Sequence, residues 1–72
     1  MQRQVNGPAI RALRMALGIK QQDLAERSGI SPSHMNKIES GAENGRFETA
    51  VSIARELGVP IDAIAPVIKV PA

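Results

Sequence analysis

The 72-residue chain contains no cysteine, tryptophan or tyrosine, and Phe47 is its only aromatic residue. Without thiols, neither a disulfide framework nor a thiolate zinc site can stabilise it. His34 is the only histidine, which argues against an all-histidine metal site, so neither a metal nor a cofactor is expected. Since 43% of the residues are hydrophobic, the core must be built from Ile, Leu, Val, Met and Ala, as in small helical bundles.

The chain also lacks a long apolar run. No stretch approaches the ~18 residues of a membrane span, and the N-terminus has no signal-peptide core. We therefore expect a cytoplasmic protein that makes no contact with a membrane. The length predicts one domain over residues 1–72, with residues 1–6 as an N-terminal arm and residues 66–72 as a C-terminal tail.

Patterns that would indicate catalysis are missing as well. Ser31 and Ser33 lie close to His34, but residues so near on one helix do not form a nucleophile–base pair that a third group supports. Residues 41–45 are too short for a phosphate-binding loop and lack the following Lys-Ser/Thr. The acidic residues Asp23, Glu26, Glu39 and Glu43 show no metal-ligand spacing. We predict that the protein is not an enzyme and has no small-molecule substrate.

Positive charge is concentrated in the first half of the chain, although the net charge is only +2. Residues 1–37 hold six basic and two acidic side chains, whereas residues 38–72 hold three basic and five acidic ones. This distribution suits a polyanion on one side of the molecule. A mixed solvated surface explains it equally well.

Start and stop signals predict five helices and an all-α fold. Pro8 lies near the start of the first helix, Gly18 ends it, and Gly41 and Gly58 end the third and fourth. The fifth is a brief helix that Pro60 opens and Pro66 ends. The predicted bounds are about 6–18, 20–28, 31–40, 46–57 and 60–66.

The segment 21–41 carries the clearest signal. Gly29 supplies a left-handed residue where the second helix ends. Ser31 then caps the third helix, and Pro32 takes its first position, where a missing N–H costs nothing. Two short helices joined by such a turn form a helix-turn-helix, whose second helix commonly enters the major groove of DNA.

The outer face of that second helix is small or polar. At 100° per residue, Met35 and Ile38 face inward, while the outer face holds Ser33, Asn36, Lys37 and Ser40. Lysine can donate to guanine, asparagine suits adenine and serine is adaptable. This pattern predicts base contacts, although a plain solvated helix face remains the alternative.

Other side chains are placed to meet phosphates. Lys20, Gln21 and Arg46 lie at or near helix N-termini that flank the third helix, where anions are favoured. We predict phosphate contacts for these three and for Ser40. His34 lies on the flank of the third helix, where a phosphate contact and an inert surface position are both open.

The chain resembles the Cro/cI-type helix-turn-helix family, also called the xenobiotic-response-element (XRE) family. Members typically show an arginine in the first helix, then Gln-x-x-Leu-Ala, Gly-hydrophobic-Ser, hydrophobic-x-x-hydrophobic-Glu-x-Gly and hydrophobic-Ala-x-x-Leu-Gly-Val. The corresponding residues here are Arg14 and segments 21–25, 29–31, 35–41 and 53–59. The resemblance covers about residues 8–65.

The resemblance implies five helices and a two-fold dimer on double-stranded DNA. It assigns base-reading positions to Ser33 and Lys37, and another to Pro32, which cannot donate a hydrogen bond. It implies that Gln21 contacts a phosphate and braces the recognition helix. It also pairs Arg14 with Glu39 and brings Arg14 near a phosphate.

Some residues depart from the family pattern. Lys20 stands where a Ser or Thr commonly caps the second helix, Gly45 where a proline often precedes the fourth, and Pro60 where a serine is usual. None of them removes the residues expected to meet DNA.

These observations predict a sequence-specific DNA-binding regulator, a small repressor of phage or mobile-element type that acts as a homodimer. The expected dimer contact is formed by the fifth helix and the tail, where residues 67–70 could pair as short strands between two chains; a tail folded over its own core is the alternative. The apolar residues available for this contact are Val59, Ile61, Ile64, Val67, Ile68 and Val70. The alternative function is an antitoxin or accessory interaction module that grips a partner through this tail, with DNA binding secondary.

Overall fold

The computed structural model describes residues 2–68. Its elements are β1 (Gln2–Arg3), α1 (Gly7–Ala16), α2 (Gln21–Arg27), α3 (Pro32–Ser40), α4 (Phe47–Leu57), a 3-10 helix (Ile61–Ala63) and β2 (Val67–Ile68). The part of the predicted tail from residue 69 onward, including Val70, lies outside the described residues. The four longer helices begin and end within a few residues of the predicted bounds.

The predicted fifth helix is instead the single 3-10 turn Ile61–Ala63. The chain has little room for more, because Gly58 adopts a left-handed conformation with φ 70° and Pro66 follows closely. A proline lacks the N–H that a longer helix would need and disfavours helical geometry in the residue before it. The fifth predicted helix is thus present only as a 3-10 turn, so the count of five α-helices is not confirmed, while the helical class holds for most of the described chain.

A two-stranded antiparallel ribbon, which the all-α expectation did not include, joins the ends of the described chain. Gln2 pairs with Ile68 and Arg3 with Val67. The pairing continues inward, where the N–H of Asn6 donates to the carbonyl of Ile64 at 2.6 Å. The strand Val67–Ile68 thus pairs within its own chain.

Arg3 fastens this ribbon to the body of the domain. Its Nη1 donates to the Ala65 carbonyl at 3.0 Å and forms an ion pair with Asp62. Its guanidinium carbon also lies 5.8 Å from the centroid of the Phe47 ring, within the range of a cation–π interaction. The arm is therefore held against the 3-10 turn and the start of α4.

The core is aliphatic, as composition predicted. Its largest fully buried side chains come from all four α-helices and from the end of the 3-10 turn: Ile10, Leu24, Met35, Ile38, Ile53 and Ile64. Ile64 had been expected on a dimer surface, and its place in the core corrects that expectation. It turns inward because the 3-10 turn packs against α4.

Gly7 lets α1 approach the C-terminal turn of α3. A Cβ at this position would lie 2.1 Å from the carbonyl oxygen of Ile38 and 2.7 Å from that of Glu39. Because atoms cannot approach so closely, only glycine fits here without separating the two helices. This contact sets the position of α3 against the rest of the domain.

Candidate nucleic-acid interface

The connection between α2 and α3 is short and well defined. Gly29 adopts φ 76°, and the N–H of Ile30 donates back to the Ala25 carbonyl at 3.0 Å. Ser31 caps α3, since its Oγ accepts from the N–H of His34 at 3.1 Å. These features form the predicted helix-turn-helix. The hydroxyl of Ser28 is buried in it without a hydrogen-bond partner among the described residues.

The structure exposes the predicted outer face of α3. Met35 and Ile38 are buried, as is the carboxylate of Glu39. The exposed positions of the helix are Pro32, Ser33, Asn36, Lys37 and Ser40. Since the only acid of α3 is turned inward, this face offers hydrogen-bonding groups and one positive charge to a ligand.

A buried ion pair connects α1 to α3. Arg14 Nε donates to Glu39 Oε2 at 2.9 Å, and Arg14 Nη2 donates to Glu39 Oε1 at 3.1 Å. The two side chains are 13% and 3% exposed. Arg14 Nη1 also donates to the Ile19 carbonyl at 2.9 Å. The pair implied by the family resemblance is thus present, and two of the five guanidinium N–H groups remain for a phosphate.

Gln21 lies between this pair and the exposed face of α3. Its Nε2 is 3.3 Å from Glu39 Oε1 and 3.4 Å from Asn36 Oδ1. Gln21 therefore braces the recognition helix from the first turn of α2. Sequence reasoning gave Gln21 this bracing role but did not identify Asn36 as a partner, because the contact depends on the crossing of α2 and α3.

Glu43 is a residue that sequence reasoning gave no role at the interface. Its carboxylate lies 3.2 Å from His34 Nε2 and 3.9 Å from Lys37 Nζ. The chain reverses at Gly41, which has φ 84°, and the N–H of Glu43 donates to the Lys37 carbonyl at 3.2 Å. The sequence signal for this contact was Gly41, which ends the helix, followed two residues later by the acidic Glu43.

The remaining predicted phosphate contacts are not gathered into one cluster. Lys20 and Arg46 are exposed at the N-caps of α2 and α4, and neither side chain forms a capping hydrogen bond. The hydroxyl of Ser40 donates to the Lys37 carbonyl at 3.1 Å, so it is partly engaged within α3. All three residues are nevertheless exposed to solvent.

A groove of about 240 Å³ runs between α1, α2 and α3. Arg11 contributes to its lining, although sequence reasoning assigned this residue no role. Its position one turn before Arg14 was the signal, since residues three apart share a helix face. The groove is lined by Arg11, Arg14, Gln21, Asn36, Glu39 and Ser40.

Two other classes of site are absent from residues 2–68. No group of three or more His, Asp or Glu side chains there could hold a metal ion. None of the helices described has both the length and the apolar character needed to cross a membrane.

Comparison with protein families gives a match to the model described as Helix-turn-helix over residues 10–64. No curated protein sequence matches the chain significantly. Among solved structures, the clp gene regulator ClgR from Corynebacterium glutamicum superposes with a TM-score of 0.76 at 31% identity. That match covers 79% of this chain, which spans only 62% of the ClgR chain.

Two further solved structures match over most of their own length. The restriction-modification controller protein C.AhdI from Aeromonas hydrophila has a TM-score of 0.76 at 30% identity, with 79% of this chain and 86% of that one covered. The P22 c2 repressor protein, solved in complex with a synthetic operator, has a TM-score of 0.76 at 27% identity. In that match 82% of this chain and 89% of the repressor chain are covered.

Proposed function

The chain belongs to the Cro/cI-type helix-turn-helix family of DNA-binding regulators, and we propose that it binds a two-fold operator through α3. In this proposal the protein is a small repressor of phage or mobile-element type that works in the cytoplasm. It occupies its operator and so excludes polymerase. The exposed polar face of α3, held by the Arg14–Glu39 pair, is the observation that carries the proposal.

The proposed contact residues divide into those that read bases and those that meet phosphates. Ser33, Asn36 and Lys37 are the proposed base-reading residues, and Pro32 touches a thymine methyl or a sugar. Lys20 and Arg46 are proposed to contact phosphates on either side, together with Gln21, Ser40, His34 and Arg14. Phosphate contacts position the protein, whereas the base contacts select the sequence.

Binding to DNA is tested first by selecting sites from a random library. Affinities for the selected and for random DNA are then measured by fluorescence anisotropy at several salt concentrations. Lys20→Ala should weaken both complexes and reduce the salt slope by about one unit. Arg55→Ala is the matched control, since Arg55 lies in the last turn of α4 and has no part in the proposed contacts. If the wild type shows no salt-dependent binding, the proposal is wrong.

A homodimer is proposed because one recognition helix reads only a few base pairs, too few to select a site in a genome. Two copies of α3 would require half-sites about 34–36 Å apart, or roughly 10 base pairs. Of the apolar residues predicted for the contact, Val59, Ile61 and Val67 are partly exposed in the described part of the chain. Sedimentation should give two bound chains on DNA with two half-sites, and the affinity for that DNA should exceed the affinity for DNA with one half-site. Equal affinity and one chain on both DNAs would contradict a dimer.

The alternative function, an antitoxin or accessory module, depended on a tail free to grip a partner. Val67 and Ile68 pair with Gln2 and Arg3 of the same chain, which argues against that use of these two residues.

A further inference from the structure

A cavity of about 380 Å³ lies where the N-terminal arm meets the start of α4. Three of its lining residues carry small apolar side chains: Ala50 and Ala65, which are buried, and Val5, which is half-buried. Phe47, the only aromatic residue of the chain, also lines it and is 55% exposed. Pockets for small molecules are mostly apolar and measure about 300–1,000 Å³, so this one has room for a small ligand.

Two arginines also line the cavity, Arg3 of the arm and Arg46, which precedes α4. Arg3 forms an ion pair with Asp62, so its charge is already balanced. Arg46 is exposed and takes part in none of the ion pairs found among the described residues. Since no acidic residue of the described chain lines the cavity, one positive charge there is left without a counter-charge.

Contacts within the chain hold the walls of the cavity in place. Arg3 Nη1 donates to the Ala65 carbonyl at 3.0 Å, and its guanidinium carbon lies 5.8 Å from the centroid of the Phe47 ring. The N–H of Val5 donates to Asn44 Oδ1 at 3.2 Å. This bond leaves the NH₂ group of Asn44, another lining residue, to donate to a ligand. A ligand would therefore enter a cavity that is already formed, without much of the entropic cost of ordering its walls.

We propose that this cavity binds a small aromatic carboxylate, with its ring against Phe47 and its carboxylate at Arg46. The apolar lining and the exposed aromatic ring favour a flat apolar body, because aromatic rings pack well in offset or edge-to-face arrangements. The guanidinium fork matches the two oxygens of a carboxylate. A single negative charge matches the one unbalanced positive charge, whereas the higher charge of a phosphate monoester exceeds it.

Arg46 gives the cavity a regulatory consequence, which rests on the proposed function. The same guanidinium is proposed to contact a DNA phosphate, and a bound carboxylate would neutralise the charge that attracts this phosphate. The ligand and DNA should therefore compete, so that the ligand releases the protein from its operator. The binding of the ligand itself requires no DNA.

The site is tested on the free wild-type protein by NMR titration of its backbone amides with cinnamate. Binding should be saturable with a dissociation constant of about 1 mM, the value that a typical ligand efficiency gives for a molecule of this size. The shifts should concentrate at residues 44–47, Ala50 and Ala65. Cinnamamide keeps the ring without the charge and should bind about 1.4- to 5-fold more weakly, while acetate keeps the charge without the ring and should show no saturable binding. No saturable shift, or equal binding of the amide and the carboxylate, would overturn the proposal.

Two variants with matched controls locate the site. Phe47→Ala should weaken cinnamate binding about two- to twelvefold, the range for an aromatic pair, whereas Leu17→Ala shortens a side chain of similar exposure and should not weaken it. Arg46→Gln should weaken binding by up to about fivefold, whereas Arg55→Gln removes the same charge from the last turn of α4 and should leave binding unchanged. Variants that bind cinnamate as their controls do would show that the ligand lies elsewhere.

Competition is measured by fluorescence anisotropy of labelled DNA at constant ionic strength. At about 5 mM cinnamate, roughly five times the expected dissociation constant, DNA affinity should fall about sixfold for each bound chain. Acetate at the same concentration is the control and should leave the affinity unchanged. An unchanged affinity in saturating cinnamate would overturn the competition. Saturable cinnamate binding by a protein that binds no DNA would contradict the proposed function but not the ligand site.

Discussion

The Oε2 atom of Glu43 lies 3.2 Å from Nε2 of His34, so an acid from the loop after α3 meets a side chain of the recognition helix itself. The other carboxylate oxygen lies 3.9 Å from Lys37 Nζ. Glu43 thus occupies groups that a phosphate or a base would otherwise attract. In the proposed complex, an exposed acid at this position would oppose the binding of any DNA, whatever its sequence.

Glu43→Gln should raise the affinity for random DNA. An exposed ion pair such as Lys37–Glu43 is worth roughly 0.2–1 kcal/mol, so its release should give a gain of about 1.4- to 5-fold. Fluorescence anisotropy at low salt measures it. Glu48→Gln is the control, because Glu48 is an exposed acid on the first turn of α4 and its replacement removes the same charge. An equal gain in both variants would assign the effect to net charge rather than to the contacts with His34 and Lys37.

Lys37→Ala and Ser33→Ala should relax the sequence preference at one or two positions of each half-site. A good base contact contributes roughly 1–3 kcal/mol to discrimination against the wrong base. Selection from a random library followed by sequencing measures the preference. Lys20→Ala serves as the contrast, since it should weaken all DNA alike. Wild-type preferences in both α3 variants would mean that another face of the domain reads the bases.

Glu39→Ala should lower both thermal stability and DNA affinity. The substitution leaves the Arg14 guanidinium, which is only 13% exposed, without its carboxylate. Removing one partner of a buried pair costs roughly 3–5 kcal/mol. Chemical denaturation measures the loss, with Glu26→Ala, an exposed acid on α2, as the control. A Glu39→Ala variant as stable as the control would show that the pair contributes little.

Gly7→Ala should destabilise the domain by about 3 kcal/mol, towards the upper end for overpacking, because the new methyl group would meet two backbone carbonyls of α3. Gly18→Ala is the control, since a Cβ there meets no atom within 4 Å and costs only the left-handed backbone, about 1–2 kcal/mol. Chemical denaturation compares the two. A smaller loss for Gly7→Ala than for Gly18→Ala would mean that α1 and α3 separate easily.

The helices and the orientation of α3 could be predicted because their signals are local. Ser31, Pro32 and Gly41 mark the ends of α3, and the 3.6-residue period places Met35 and Ile38 inside. The resemblance to the helix-turn-helix family also predicted the Arg14–Glu39 ion pair, although those residues are 25 positions apart.

Strand pairing of residues 67–70 was expected between two chains, whereas Val67 and Ile68 pair with residues 2–3 of the same chain. That partner could not be predicted, because two-residue strands carry no periodicity and the pairing joins residues more than 60 positions apart. The Gln21–Asn36 contact depends on how α2 and α3 cross. The contact of Glu43 with α3 depends on the left-handed dihedral angle of Gly41. Pro60 was correctly interpreted as a start signal, since it is the N-cap of the 3-10 turn, but over so few residues no sequence signal distinguishes a single 3-10 turn from a short α-helix.

The ribbon also affects when the domain can complete its fold during synthesis. The N–H of Asn6, which stands at the start of α1, finds its acceptor only at Ile64. At about 5–20 residues per second, a ribosome needs roughly 3–12 s to make the intervening chain. Until then the start of α1 lacks its hydrogen-bond partner at Ile64. A nascent chain that already contains the whole of α3 has therefore not yet completed the domain that carries this helix.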